Sequence, residues 1–163
     1  MIEFMVVAAP RSGTGWAANW LTTESSLCMH GLNARMHYSQ WDSISSRKLL
    51  GVSDPSISRF PVWLNAHQAR KVILHRDGAQ IAASFGMENL ADTDWGLDRI
   101  DGMHVDWNDL FDHPKAIYEF LLQRPFDAER HAELVRLQVT CMPKRVTFDK
   151  GVYLRLMEEM RCN

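Results

Sequence analysis

The sequence is poor in cysteine, carries no surplus of positive charge and contains no long apolar run. Its three cysteines, Cys28, Cys141 and Cys162, are odd in number and far apart. That spacing is neither a disulfide framework nor a paired C-x-x-C zinc pattern, so reduced thiols in a cytoplasmic protein are expected. Eighteen Lys+Arg stand against twenty Asp+Glu, which excludes a basic coat for nucleic acid. An anionic ligand must then be held by a local arrangement. The stretch Met1 to Ala9 includes Glu3 and has no basic lead-in. Its apolar run is too short for a signal core or a membrane span, and no membrane partner is expected. No repeat or low-complexity tract interrupts the 163 residues, which suit a single domain over 1–163.

What is present alternates between strand-like and helix-like segments. Met5 to Ala9 is a short continuous apolar run, as in a strand buried on both faces. A helix is predicted from Thr14 to Glu24, with Trp16, Trp20 and Leu21 on one face. Leu27 to Met29, Leu49 to Ser53 and Lys71 to His75 read as further strands. Residues 33–46 are polar and turn-rich and read as a mobile or substrate-facing loop. A helix carrying Ile81, Ala82 and Phe85 follows Lys71 to His75. Met87 to Asp112 reads as loop or short helices. Pro114 suits a first helical turn, and Asp127 suits an N-cap for a helix carrying His131. Lys144 to Phe148 reads as a last strand, with Asp149 capping a last helix. This alternation implies an α/β fold with a mainly parallel sheet, whose ligands sit beyond the carboxyl ends of the strands.

Two strand-to-helix junctions carry chemistry. The first is Pro10-Arg11-Ser12-Gly13-Thr14-Gly15-Trp16. Its glycines permit close backbone approach, and the N–H groups opening a helix favour an anion. Ser12 and Thr14 add hydroxyls, and Arg11 adds a planar, permanently charged fork. The ordinary P-loop ends in Gly-Lys-Ser/Thr, whereas no lysine occurs here before Lys48. The plainer alternative is a tight turn with Arg11 solvated. The second junction places Arg76 at a strand end and Ser84 eight residues later, on the following helix. Alone, that pair reads as a surface arginine and a helix-packing serine.

Together and in this order, the two junctions resemble the sulfotransferases that use 3′-phosphoadenosine-5′-phosphosulfate (PAPS). In that family a P-[KR]-S-G-T-x-W loop grips the 5′-phosphosulfate, and an arginine with a serine eight residues on grips the 3′-phosphate. The resemblance implies a three-layer α/β/α, P-loop NTPase-like sulfotransferase fold. Arg11, Ser12, Gly13, Thr14, Gly15, Trp16, Arg76 and Ser84 would bind the donor. Arg11 would also act catalytically, stabilising charge on the leaving phosphate. The partners implied are the nucleotide donor and a small-molecule or macromolecular acceptor. The products would be a sulfated hydroxyl or amine and 3′-phosphoadenosine-5′-phosphate (PAP). Arg11 stands where cytosolic members carry lysine and Golgi-type members arginine. Gly78 occupies a position often filled by proline. The late R-K-G loop of cytosolic members has no clear match.

The chemistry asks for a general base near the acceptor and for no metal, and no metal-ligand spacing is seen. Asp54 and His30, each at the end of an expected strand, are the candidates. A turn or capping role is the alternative for Asp54 and a structural role for His30. His67 and Glu24 read as surface residues. Trp41, Trp95 and Trp107 read as core or loop anchors, with an aromatic wall for adenine or acceptor as the other reading. Asp92, Asp94, Asp98, Asp101, Asp106 and Asp109 form an acidic belt, read as a solvated face. A P-loop nucleotide kinase and a non-catalytic nucleotide binder on the same scaffold are the competing functions.

Overall fold

Among the described residues five parallel strands form one central sheet. They are β1 (Phe4–Ala8), β2 (Ser26–His30), β3 (Leu49–Ser53), β4 (Arg70–His75) and β5 (Met103–Asp106). Their spatial order is β2-β3-β1-β4-β5, and every pairing is parallel. The structure is a computed structural model and describes residues 1–137. The strand expected at Lys144 to Phe148 and the helix after Asp149 lie outside the described residues.

β1 is buried along its whole length, and the two-residue period of a strand sends its side chains to opposite faces. Phe4, Val6 and Ala8 join one core cluster, and Met5 and Val7 join the other. The first cluster is covered by α1 (Thr14–Leu21), α4 (Asp109–Asp112), α5 (Pro114–Leu122) and α6 (Ala128–Arg136). The second is covered by α2 (Pro61–Ala66), α3 (Gly78–Phe85) and the 3-10 turns before them. Helices on both sheet faces make this a three-layer α/β/α fold. Gly51 in β3 leaves room for the ring of Phe4, its partner across the β1–β3 pairing: an added Cβ would fall 2.1 Å from that ring.

The handedness of crossovers explains which face each connection takes. From β2 to β3, β3 to β4 and β4 to β5 the chain moves in one direction across the sheet, and all three connections pack on the Met5/Val7 face. From β1 to β2 it moves the opposite way, and α1 packs on the Phe4/Val6 face. A right-handed crossover requires this reversal. The adjacent strands β1 and β4 thus send their chains to opposite faces, which opens a crevice at their carboxyl ends.

Two expectations are corrected and a third gains detail. The helix expected to reach Glu24 ends at Leu21, because the Thr22 hydroxyl bonds back to the Ala18 carbonyl and also accepts from the Cys28 amide. The stretch 87–112, expected as loop or short helices, contains strand β5. It is four residues long and half-exposed at the edge of the described sheet, with His104 and Asp106 breaking its apolar pattern. The loop at 33–46 contains two 3-10 turns, Leu32–Ala34 and Tyr38–Ser43. It is pinned by Trp41, fully buried with its indole N–H donating to the Met36 carbonyl at 3.0 Å, and by buried Ile44. Among the described residues no helix is long and apolar enough to cross a membrane.

Candidate active site

The crevice between β1 and β4 is where the two sequence motifs meet. After β1 the backbone turns through a left-handed conformation at Arg11 (φ 65°) and again at Gly13 (φ 83°). Glycine takes this conformation freely, whereas an L-residue with a Cβ pays about 1–2 kcal/mol for it. Gly13 is also closed in by Leu110, whose Cδ1 lies 3.2 Å from where a Cβ would be. The loop opens α1 with no side-chain cap. Ser53 donates its hydroxyl to the Thr14 carbonyl at 2.8 Å and so ties β3 to the start of the helix.

Ser12 is fully buried, and its hydroxyl has no hydrogen-bond partner among the described residues. A buried polar atom without a partner is costly, and its presence in a native loop calls for an explanation. Thr14 is buried too, at 4 % exposure, and Gly15 is half-buried. Trp16 is 2 % exposed and packs against Trp20, Phe111 and His131. It anchors α1 in the core.

Arg11 and Arg76 converge on this loop. Arg76 donates to the Arg11 carbonyl and, through Nε, to the Gln80 side chain at 3.3 Å. Its guanidinium lies 4.4 Å from the centre of the Trp107 ring, a cation–π contact that fixes its direction. Arg11 donates through Nε to the Ser84 hydroxyl at 3.0 Å and lies 5.8 Å from the Phe85 ring. Neither arginine forms an ion pair with a carboxylate among the described residues. The fold therefore brings Arg11, Arg76 and Ser84 together. In the structure Ser84 accepts from Arg11, while Arg76 is committed to the loop carbonyl and Trp107.

α3 begins at this crevice with Asp77 as its cap, accepting from the Gln80 amide at 3.1 Å. Gly78 has a local reason to replace proline: a Cβ there would fall 2.0 Å from the Ala91 carbonyl oxygen.

His30 and Asp54 stand side by side at the carboxyl ends of β2 and β3. His30 is exposed, and its Nδ1 lies 2.8 Å from the Ser53 carbonyl. A carbonyl only accepts, so Nδ1 carries the proton and the neutral ring keeps its lone pair on Nε2. Asp54 is 2 % exposed. Its carboxylate accepts from the Ser56 amide and hydroxyl, at 2.9 and 2.7 Å, and from the Asn33 amide at 2.8 Å. The capping role weighed for Asp54 is the one its contacts show.

The remaining candidates have structural work. His67 caps α2, receives the Ala69 amide at Nδ1 and bonds Asp42 at 3.2 Å through Nε2. Glu24 is exposed. Trp95 packs on the second core cluster. In the acidic belt Asp94 pairs with Arg99 and caps the turn at Gly96, and Asp106 and Asp109 cap the turn into α4.

Spacing gave no sign of one further group. His75, Asp98 and His104 meet beside Arg76, with one possible ligand atom from each all within 4.8 Å of one another. His75 and His104 are 29 residues apart, and only the β4–β5 pairing places them on one face.

Burial pushes the Cys28 thiol far above the ordinary cysteine range, which leaves it unreactive. Comparison of the chain with protein-family models, with curated proteins and with solved structures finds no match.

Proposed function

We propose that the chain transfers a sulfuryl group from PAPS to a hydroxyl or amine of an acceptor. The observation that carries this reading is the convergence of Arg11 and Arg76 on a left-handed loop at the β1/β4 crevice, with no carboxylate paired to either among the described residues. Two unneutralised guanidiniums at a strand switch point suit a ligand with two separate anionic groups. The unpartnered Ser12 hydroxyl adds a donor that such a ligand would satisfy. A kinase reading lacks the phosphate-bridging lysine of the ordinary P-loop.

In this reading Arg11 and the loop N–H groups hold the 5′-phosphosulfate, and Arg76 with Ser84 holds the 3′-phosphate. The acceptor oxygen or nitrogen attacks sulfur in line. The bond from sulfur to the bridging phosphate oxygen breaks, and PAP leaves with the electron pair. Arg11 stabilises the charge that grows on that oxygen. The acceptor proton passes to His30 Nε2, whose lone pair is set by the Nδ1 bond to Ser53. Asp54 holds the 33–34 and 55–56 segments in place beside it. The buried thiol of Cys28 fits a reducing, cytoplasmic setting.

Calorimetric titration with PAP and with ATP–Mg²⁺ tests the donor. PAP binding that is lost in Arg76→Ala supports the reading, and binding of ATP–Mg²⁺ alone overturns it. Release of PAP from PAPS in an acceptor mixture then separates the enzyme from a non-catalytic nucleotide binder.

A further inference from the structure

We propose that His75, His104 and Asp98 form a binding site for a late first-row divalent metal ion, of which zinc is the type. β4 and β5 are in parallel register with Ile73 opposite His104 and His75 opposite Asp106. Period-2 alternation therefore puts His75 and His104 on the same sheet face as diagonal neighbours. Asp98 reaches them from the 3-10 turn Leu97–Arg99.

The hydrogen bonds settle how the rings are held. His104 Nε2 lies 2.8 Å from the Ile100 carbonyl, so it is the protonated nitrogen and Nδ1 keeps the lone pair. That Nδ1 lies 2.8 Å from His75 Nε2, which must then donate to it. The rings are stacked, with centroids 5.1 Å apart. His75 Nδ1 is 4.0 Å from an Asp98 oxygen. A ligating histidine usually gives its other N–H to a backbone carbonyl or carboxylate, and the Ile100 carbonyl already fills that role for His104.

Two imidazoles and a carboxylate select the metal class. Magnesium and calcium take oxygen donors, whereas nitrogen donors favour zinc, nickel, cobalt or copper. Three protein ligands leave at least one position for water. Binding replaces the His75–His104 hydrogen bond with two metal–nitrogen bonds. The His75 proton passes to the other ring nitrogen by exchange with water, so charge and protons balance. A bound ion would clip the 97–99 turn to the ends of β4 and β5, one residue from Arg76.

The test is titration of the tag-free full chain with zinc sulfate and with magnesium chloride, followed by calorimetry and by thermal melting. One zinc per chain should bind at this site and raise the melting temperature, and magnesium should give neither effect. His104→Gln and His75→Gln should each weaken zinc binding about 10–100-fold, and Asp98→Asn should weaken it about 10-fold. Cobalt should give visible absorption bands that disappear in His104→Gln. Circular dichroism of each variant confirms that it folds. Zinc binding of equal tightness in the His75→Gln/His104→Gln double variant overturns the site, as does no zinc binding to the unaltered chain. These readouts involve no nucleotide, so they stand or fall apart from sulfuryl transfer.

Discussion

Arg11 Nε donates to the Ser84 hydroxyl at 3.0 Å, tying the β1–α1 loop to the last turn of α3 across the crevice. The same hydroxyl is the one assigned to a 3′-phosphate: it accepts from Arg11 with an oxygen lone pair and keeps its own O–H to donate to a phosphate oxygen. Ser84→Ala should then weaken PAP about 5–10-fold, the size of one charge-assisted hydrogen bond. It should leave adenosine 5′-monophosphate, which lacks the 3′-phosphate, unchanged. Calorimetry with both nucleotides checks this. An equal loss for both would mean that Ser84 acts only by holding Arg11.

Arg11 itself is held at φ 65°, a conformation that favours glycine. Arg11→Gly should therefore stabilise the fold by up to about 1 kcal/mol, by relieving strain at that position. It should also abolish PAP binding, because the guanidinium is gone. Urea unfolding and PAP titration of the one variant read both effects. Destabilisation by Arg11→Gly would show that the Ser84 and Phe85 contacts outweigh the backbone strain.

Ser12 makes the complementary case. Its hydroxyl is buried with no partner among the described residues. Ser12→Ala should raise the stability of the ligand-free protein by about 1 kcal/mol, by removing an unsatisfied group. It should lower PAP affinity about 5–10-fold, as expected for one lost hydrogen bond. Opposite signs in a thermal melt and a PAP titration would bear this out. A variant less stable than the parent would mean that the hydroxyl does not carry that penalty.

The two base candidates separate by what each variant costs. Asp54 accepts three hydrogen bonds from two segments, and Asp54→Ala should destabilise the fold by about 1–3 kcal/mol. His30 is exposed, and its loss should cost little stability. His30→Ala should instead lower PAPS turnover about 10²–10⁴-fold, the usual worth of a positioned base. Denaturant melts and a PAP-release assay distinguish them. Turnover lost in Asp54→Asn at unchanged stability would transfer the base role to Asp54.

The core strands were legible because burial on both faces leaves a continuous apolar run, as in Met5 to Ala9 and in Val72 to Leu74 of the Lys71 to His75 segment. The cradle was legible because a left-handed loop opening a helix needs glycine at Gly13, and an anion needs Arg11. β5 was hidden because an edge strand can carry His104 and Asp106 on its exposed side. The Arg11–Ser84 bond and the His75–Asp98–His104 cluster were hidden for another reason. Both depend on strand order, and local spacing does not encode which strand lies beside which. Trp16 shows what a motif alone does not tell: inside the same loop pattern its side chain packs in the core against Trp20, Phe111 and His131.

Lys71 supplies a pH signature. It is 8 % exposed at the start of β4, and Nζ donates to the His67 carbonyl at 2.7 Å and the Ala69 carbonyl at 3.2 Å. Burial lowers its pKa from the ordinary 10.5, and the Asp101 charge opposes that shift in part. Between the lowered value and 10.5 the unfolded chain binds more protons than the folded one, so stability rises with pH there. Below that window both states are charged and the burial penalty is fully felt. Lys71→Met removes the titration. Urea melts of both proteins from neutral pH towards 10 should show the unaltered chain gaining stability relative to the variant as pH rises. A flat or falling difference would mean that Asp101 and the two carbonyls fully compensate the buried charge.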